Sequence, residues 1–240
     1  MRRMPLFATT LCVALLAVLT ATTWANGLLV NAGFETAVPI GSSLPGAVGY
    51  WSGDYSAIVT TSDGITPYEG TRMLNFIYTD RHSNPTSYWT CDVYQLVDLT
   101  PYSAFISQGT AVASGVVMFN RVAGDVETDT KFSLVLRAYA GDPSTFPSQV
   151  GSSDLIWDRS DLYTDGDPDT WEAATLDLPL PAATDFLCIQ LLPGENVHND
   201  STGVEFDGHY ADAAAVTIIP EPAALALLAL GGLGVIRRRR

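Results

Sequence analysis

Between residues 28 and 219 the apolar positions recur in short runs, cut by glycine and proline. The clearest run is 131–139. There Phe132, Leu134 and Leu136 fall on one face, and Ser133, Val135 and Arg137 on the other. A period of two predicts a half-buried strand. Further strands are predicted at 28–30, 56–61, 73–78, 93–99, 111–120, 171–178, 186–192, 204–210 and 213–219. Gly141-Asp142-Pro143, Gly166-Asp167-Pro168 and Pro193-Gly194 punctuate the intervals as turns. No stretch of this core has the 3.6-residue periodicity of an amphipathic helix. Nine or ten strands in under 200 residues predict an all-β fold, an antiparallel β-sandwich of jelly-roll type.

The two ends break the pattern. Arg2 and Arg3 precede an apolar run at 11–19, and Thr23 and Ala25 place small residues before a cleavage point. This is the layout of a signal peptide over 1–25, so the chain is expected to be exported. At the other end Pro220, Glu221 and Pro222 are followed by 223–236 without a charge, then by Arg237, Arg238, Arg239 and Arg240. Two prolines stop a strand and delay a helix. Fourteen helical residues rise about 21 Å, short of the roughly 20 residues that usually span a bilayer. Terminal arginines lengthen the reach by snorkelling and hold that end cytoplasmic.

These three parts, in this order, resemble the PEP-CTERM sorting signal. The resemblance implies recognition by an exosortase-type membrane protease near Pro220-Glu221-Pro222. It also implies anchoring in the membrane through the C-terminal helix before processing, and a destination at the cell envelope or surface of a bacterium that makes extracellular polysaccharide. The chain is thus divided into a signal peptide (1–25), one domain (26–219) and a sorting signal (220–240).

Charge sharpens the picture of the domain. Half of the twelve basic residues lie in the targeting ends, which leaves 25 acids against 6 bases, a formal charge of −19. Lys131 is the one lysine. Such a surface repels nucleic acid and anionic lipid, and accepts neutral or cationic partners and divalent cations. Cys12 lies in the signal peptide. Cys91 and Cys188 are either a disulfide, as an oxidising compartment allows, or two separate buried thiols.

The mature N-terminus adds a second resemblance. Leu28-Leu29-Val30-Asn31-Ala32-Gly33-Phe34-Glu35 resembles the opening of galactose-binding-like jelly rolls, the fold of many carbohydrate-binding modules. Trp51, Glu69-Gly70-Thr71-Arg72-Met73-Leu74, Tyr94-Gln95-Leu96-Val97, Trp171 and the closing segment 212–218 follow in the order of that family. Ala32 stands where a glycine is usual, and Ala213 where a second acid is common. The resemblance implies a structural Ca²⁺ held by Glu35 and Asp212, which suits a hard ion that takes six to eight oxygen ligands.

Other candidates for chemistry are fewer. Asp165, Asp167 and Asp169 alternate like the start of an EF-hand loop, but Thr170 and Leu176 occupy its glycine and final glutamate positions, so a solvated acidic turn is expected. Tyr50, Trp51, Tyr55, Tyr88, Trp89, Trp157 and Tyr163 lie in or near loops and are candidates for a sugar-stacking platform. His82, His198 and His209 are spread along the chain, and no G-x-S-x-G or H-E-x-x-H motif is present. The expected function is therefore non-enzymatic: a surface or matrix protein that binds polysaccharide or is embedded in it. A polysaccharide hydrolase with paired carboxylates and a purely structural surface protein are the alternatives.

Overall fold

The computed structural model describes residues 27–79, 89–123, 130–195 and 208–220. Ten strands occur in this order: β1 (Trp51–Gly53), β2 (Ala57–Val59), β3 (Met73–Asn75), β4 (Val93–Asp98), β5 (Ala111–Arg121), β6 (Thr130–Tyr139), β7 (Ile156–Tyr163), β8 (Glu172–Pro179), β9 (Phe186–Glu195) and β10 (His209–Pro220). They form two five-stranded antiparallel sheets. One has the order β1-β4-β9-β6-β7 and the other β2-β3-β10-β5-β8. From β3 to β6, and again from β7 to β10, successive strands alternate between the sheets. The chain therefore wraps around one core, which is the jelly-roll course.

The alternation read at 131–139 is realised in β6. Phe132, Leu134, Leu136 and Ala138 face the other sheet and are fully buried. Their partners on β5 are small or shaped to fit. A Cβ added at Gly115 would lie 3.3 Å from the Leu136 side chain and 3.4 Å from Leu134. Glycine at this point thus lets two leucines of the opposing sheet interlock. Further along, Phe119 stacks on Phe132 with centroids 4.7 Å apart. Burial of such rings is the main stabilising term; truncating one costs about 3–5 kcal/mol.

β10 carries an irregularity that the sequence pattern conceals. Ala211 faces the core, and so do Ala214, Val216 and Ile218, so the inward parity changes within the strand. The register with β5 shifts between Asp212 and Ala215, and Ala213 has φ 48°. This is a β-bulge, and it places Asp212 inside the strand rather than ahead of it.

Three other expectations need correction. Residues 28–30 are not a strand. The buried Gln95 side chain takes both backbone groups of Val30, accepting from its N–H at 2.7 Å and donating to its carbonyl at 2.9 Å. A side chain thus replaces the strand partner. Two strands, β1 and β7, were not foreseen; β1 is three residues long and β7 is an edge with charged outward positions. Of the strand expected at 204–210, residues 204–207 lie outside the described residues, and His209 and Tyr210 open β10.

Of the two readings of the cysteines, the possible disulfide is corrected and the separate buried thiols hold. Cys91 and Cys188 are both free and fully buried. Cys188 pairs with Leu96 and packs on the outer side of its sheet, while the Cys91 N–H bonds to the Pro193 carbonyl and its thiol packs in the inter-sheet core. They lie five residues apart along β9 and on opposite faces, so no disulfide can close without rebuilding the sheet.

Candidate functional site

The outer face of the β1-β4-β9-β6-β7 sheet is only half covered. Leu96, Tyr139, Phe146, Phe186 and Cys188 form a small second core there, with Leu44 and Val150 packed on it. Tyr139 and Phe186 stack at 5.0 Å. Beside this cover Ser133, Val135 and Gln190 are buried, Arg137 is part-buried, and the outward residues of the β7 edge, Trp157, Arg159, Asp161 and Tyr163, are exposed.

Arg137 is the centre of that area. It lies between Cys188 on β9 and Trp157 on β7. Its Nη1 donates to Asp154 at 2.6 Å and its Nε to Gln190 at 3.2 Å. Its guanidinium sits 5.0 Å from the centroid of the Trp157 ring. The Gln190 amide in turn donates to Asp92, and the Asp92 N–H donates to Asp54 at 2.9 Å. A continuous polar chain thus crosses the sheet through β9 and β6, with its ends in the segments next to β1, β4 and β7: Asp54, Asp92, Gln190, Arg137, Asp154. Charge-assisted bonds of this kind fix side chains in place. Burial pushes the Asp92 carboxyl above the usual carboxylate range; the Gln190 amide opposes this and the Asp54 charge adds to it.

Trp157 is held by this chain on one side and stays half exposed, at 50%. Tyr163 follows on the same face of β7, with Arg159 and Asp161 paired between them at 3.2 Å. At the other side of the face a cup of about 170 Å³ is lined by Ser42, Ser43, Gly53, Asp54, Asp92 and Tyr94. Gly53 is required there, because a Cβ would strike the Asp92 carbonyl. An open aromatic ring flanked by fixed donors and acceptors can stack the apolar face of a pyranose and hydrogen-bond its hydroxyls.

The carboxylates expected to hold calcium are both bonded to a single turn. Glu35 accepts from the Thr71 N–H at 2.9 Å, from the Thr71 hydroxyl at 2.9 Å and from the Arg72 N–H at 3.2 Å. These bonds, the Thr71 N–H foremost, hold its carboxyl below the usual range. Gly70 has φ 61°, and a side chain there would overlap the Glu35 carboxylate. Asp212 accepts from the Glu69 N–H at 3.1 Å and the Ala213 N–H at 2.7 Å. The two acids therefore grip one turn, 69–72, at neighbouring positions. Asp212 is fully buried, and burial pushes its carboxyl up to about 6. The donor type suits Ca²⁺, and a cation would relieve the buried charge. Among the described residues no three His, Cys, Asp or Glu side chains converge, so an ion there would need backbone carbonyls as well.

Other expected residues fall into place individually. Trp51 is a core residue: it is buried, packs 5.1 Å from Phe34, and donates to the Asn31 carbonyl. Tyr50 and Tyr55 are exposed, on loops around β1. Tyr50 borders an apolar hollow whose polar lining, Asn31 and Thr36, is bonded to itself. His209 is buried between Thr79 at 2.8 Å and Thr130 at 3.2 Å, and burial drives its pKa down to about 3. It is a neutral core histidine. Asp165 accepts from the Asp167 N–H and the Thr170 hydroxyl, and Asp167 accepts from the Asp169 N–H, as in a solvated acidic turn. Tyr88, His82, His198 and residues 221–240, including Glu221, Pro222 and the four arginines, lie outside the described residues.

The sequence brought Arg137 and Trp157 to notice separately, as an outward strand position and a loop-like aromatic. Their juxtaposition, and the roles of Asp92, Asp154 and Gln190, come from the pairing of distant strands.

Comparison with known proteins decides the C-terminus first. Residues 219–240 are a PEP-CTERM protein-sorting motif. The motif marks an exported protein sorted to the cell envelope and implies processing by an exosortase. It includes the last two residues of β10. Among curated proteins none matches the chain. Solved structures of similar architecture include the enzymatically active domain of tailspike protein 4 of bacteriophage CBA120, at 9% identity and TM-score 0.45 over 80% of this chain. The chain spans only 21% of that tailspike's length. The C-terminal family 22 carbohydrate-binding module of Clostridium thermocellum Xyn10B is similar at 14% identity and TM-score 0.41, over 73% of this chain and 89% of the module. A CBM35 module in complex with a glucuronic acid-containing disaccharide is similar at 17% identity and TM-score 0.37, over 68% and 88%. At these values the likeness is one of architecture and carries no argument about ligand or reaction.

Proposed function

We propose that this exported, PEP-CTERM-sorted protein binds polysaccharide without cleaving it, through the open half of the β1-β4-β9-β6-β7 face. The supporting observation is Trp157: an exposed ring fixed by Arg137, which is itself fixed by Asp154 and Gln190. Rigid aromatics cost little entropy on binding, and fixed polar neighbours supply orientation. The domain's formal charge of −19 favours a neutral polymer over an acidic one. Affinity electrophoresis of the mature chain through gels of neutral and acidic polysaccharides tests this. Retardation in a neutral gel, with no shortening of the polymer, is the expected result. Retardation nowhere would leave a structural surface protein; shortening of the polymer would establish a hydrolase.

We also propose calcium at the 69–72 turn, with Glu35 and Asp212 as the side-chain ligands, on the strength of the buried Asp212 carboxylate. Its role there is structural. Titration calorimetry with Ca²⁺ should show heat and a raised Tm; a flat titration removes the metal from the account.

A further inference from the structure

We infer that the end of the sandwich from which the sorting motif departs is a membrane-contacting surface. The inference rests on the reading that 223–236 enters a bilayer, and it concerns the folded domain rather than the tail. β10 keeps its ladder to its last residue, pairing Ile219 with Val112 and Pro220 with Ala111. No linker separates the sheet from the motif. Three residues lead from Pro220 to Ala223, at most about 11 Å of extended chain. The headgroup layer is roughly 5–7 Å deep on each side of the hydrocarbon. With the apolar stretch in the bilayer, this end of the domain has to lie at the headgroups.

The surface at that end suits such a place. Three segments meet there. Residues 99–110 lead into Ala111; residues 180–184 follow Pro179, paired with Val112; and β10 ends beside them. The Leu180 N–H bonds to the Ala111 carbonyl at 2.8 Å, which closes the group. None of the residues in 99–120, 178–184 or 213–220 carries a charge, in a domain with 25 acids. Pro101, Ala104, Pro179 and Ala183 are exposed, Phe105 is half-buried, and Ile219 is 38% exposed. Of the carboxylates near this end, Asp98, Asp142, Asp154 and Asp185 belong to the side of the other sheet, while Asp177 is exposed on β8, opposite Ser114 and two residues back from Pro179. The contact is therefore made by the tips of the β5, β8 and β10 side, with Asp177 set back from it and the other acids at its rim. Anionic headgroups repel carboxylates within a Debye length of about 8–10 Å. The uncharged end is the one that can approach them.

The test uses the mature chain with its tail, mixed with phosphatidylcholine vesicles that carry a headgroup-bound quencher. Cys91 and Cys188 are buried, so a fluorophore can be directed to Ala104→Cys, Ala183→Cys or, as a far-end control, Ala123→Cys. Co-flotation with quenching at 104 and 183 several times that at 123 is expected. Co-flotation with equal quenching at all three sites would overturn the docking and leave the anchor intact. Absence of co-flotation would overturn the membrane reading, and the docking with it.

Discussion

Carboxylates gather at two places in this molecule, and they do opposite things. At the 69–72 turn, Glu35 and Asp212 accept backbone N–H groups and join the N-terminal loop to β10. Nothing aromatic is presented there by these acids. On the outer sheet face, Asp92 and Asp154 accept from side chains, and the chain they anchor ends at an exposed indole. The first arrangement satisfies donors that would otherwise be stranded. The second immobilises groups that still have a free side. Residue type is the same in both; the identity of the donor decides whether an acid supports the fold or a surface.

Substitutions should separate the two regions. The largest effect on stability is expected at the turn. Asp212→Ala leaves the Glu69 and Ala213 N–H groups without their acceptor, at a cost of about 2–4 kcal/mol, which thermal unfolding would read as a Tm lower by several degrees. Polysaccharide retardation of the folded variant should be unchanged. Asp154→Asn comes next and should act on both properties. Arg137 loses its counter-ion and Trp157 its fixed neighbour, so retardation should weaken about three- to tenfold, worth roughly 0.7–1.4 kcal/mol. Glu35→Gln keeps one acceptor oxygen and should lower the denaturant midpoint only slightly, with no effect on retardation.

A further effect is a pH dependence. Asp212 binds its proton more tightly in the folded state than the usual carboxylate value. The folded state is therefore favoured below about pH 4, and this contribution is lost as pH rises through about 6. In Asp212→Asn that slope of Tm with pH should disappear. Saturating Ca²⁺ should abolish it in the unaltered protein as well, because a bound cation keeps the carboxylate ionised. A slope that persists in Asp212→Asn would assign the titration elsewhere.

Much of the fold was legible because burial follows local alternation. β4, β5, β6, β8 and β9 fall within a few residues of their expected places, and 131–139 showed its inward face directly. The failures have particular causes. Residues 28–30 look like a strand but are satisfied by Gln95, sixty-five positions away. β7 escaped because it is an edge: Arg159 and Asp161 face outward, and Asp158 takes an inward-parity position opposite Leu136 yet stays exposed. The bulge at Asp212 reverses the inward parity of β10, which a fixed period of two cannot express. The site was less legible than the fold. Its polar chain joins residues 54, 92, 137, 154 and 190, and only antiparallel register brings them together. Cys91 and Cys188 teach the same point: two cysteines in one exported domain invite a bond, and strand parity forbids it.

The central claim is that Trp157 is the binding platform of an otherwise intact sandwich. It is tested most directly by running the unaltered chain and Trp157→Ala side by side through the gel that retards the former. Trp157 is half exposed, so the variant should keep its Tm within about 1 kcal/mol of stability. The account predicts that retardation falls at least about tenfold, or roughly 1.4 kcal/mol of binding. Full retardation of a folded Trp157→Ala chain would contradict it and move the site off this face.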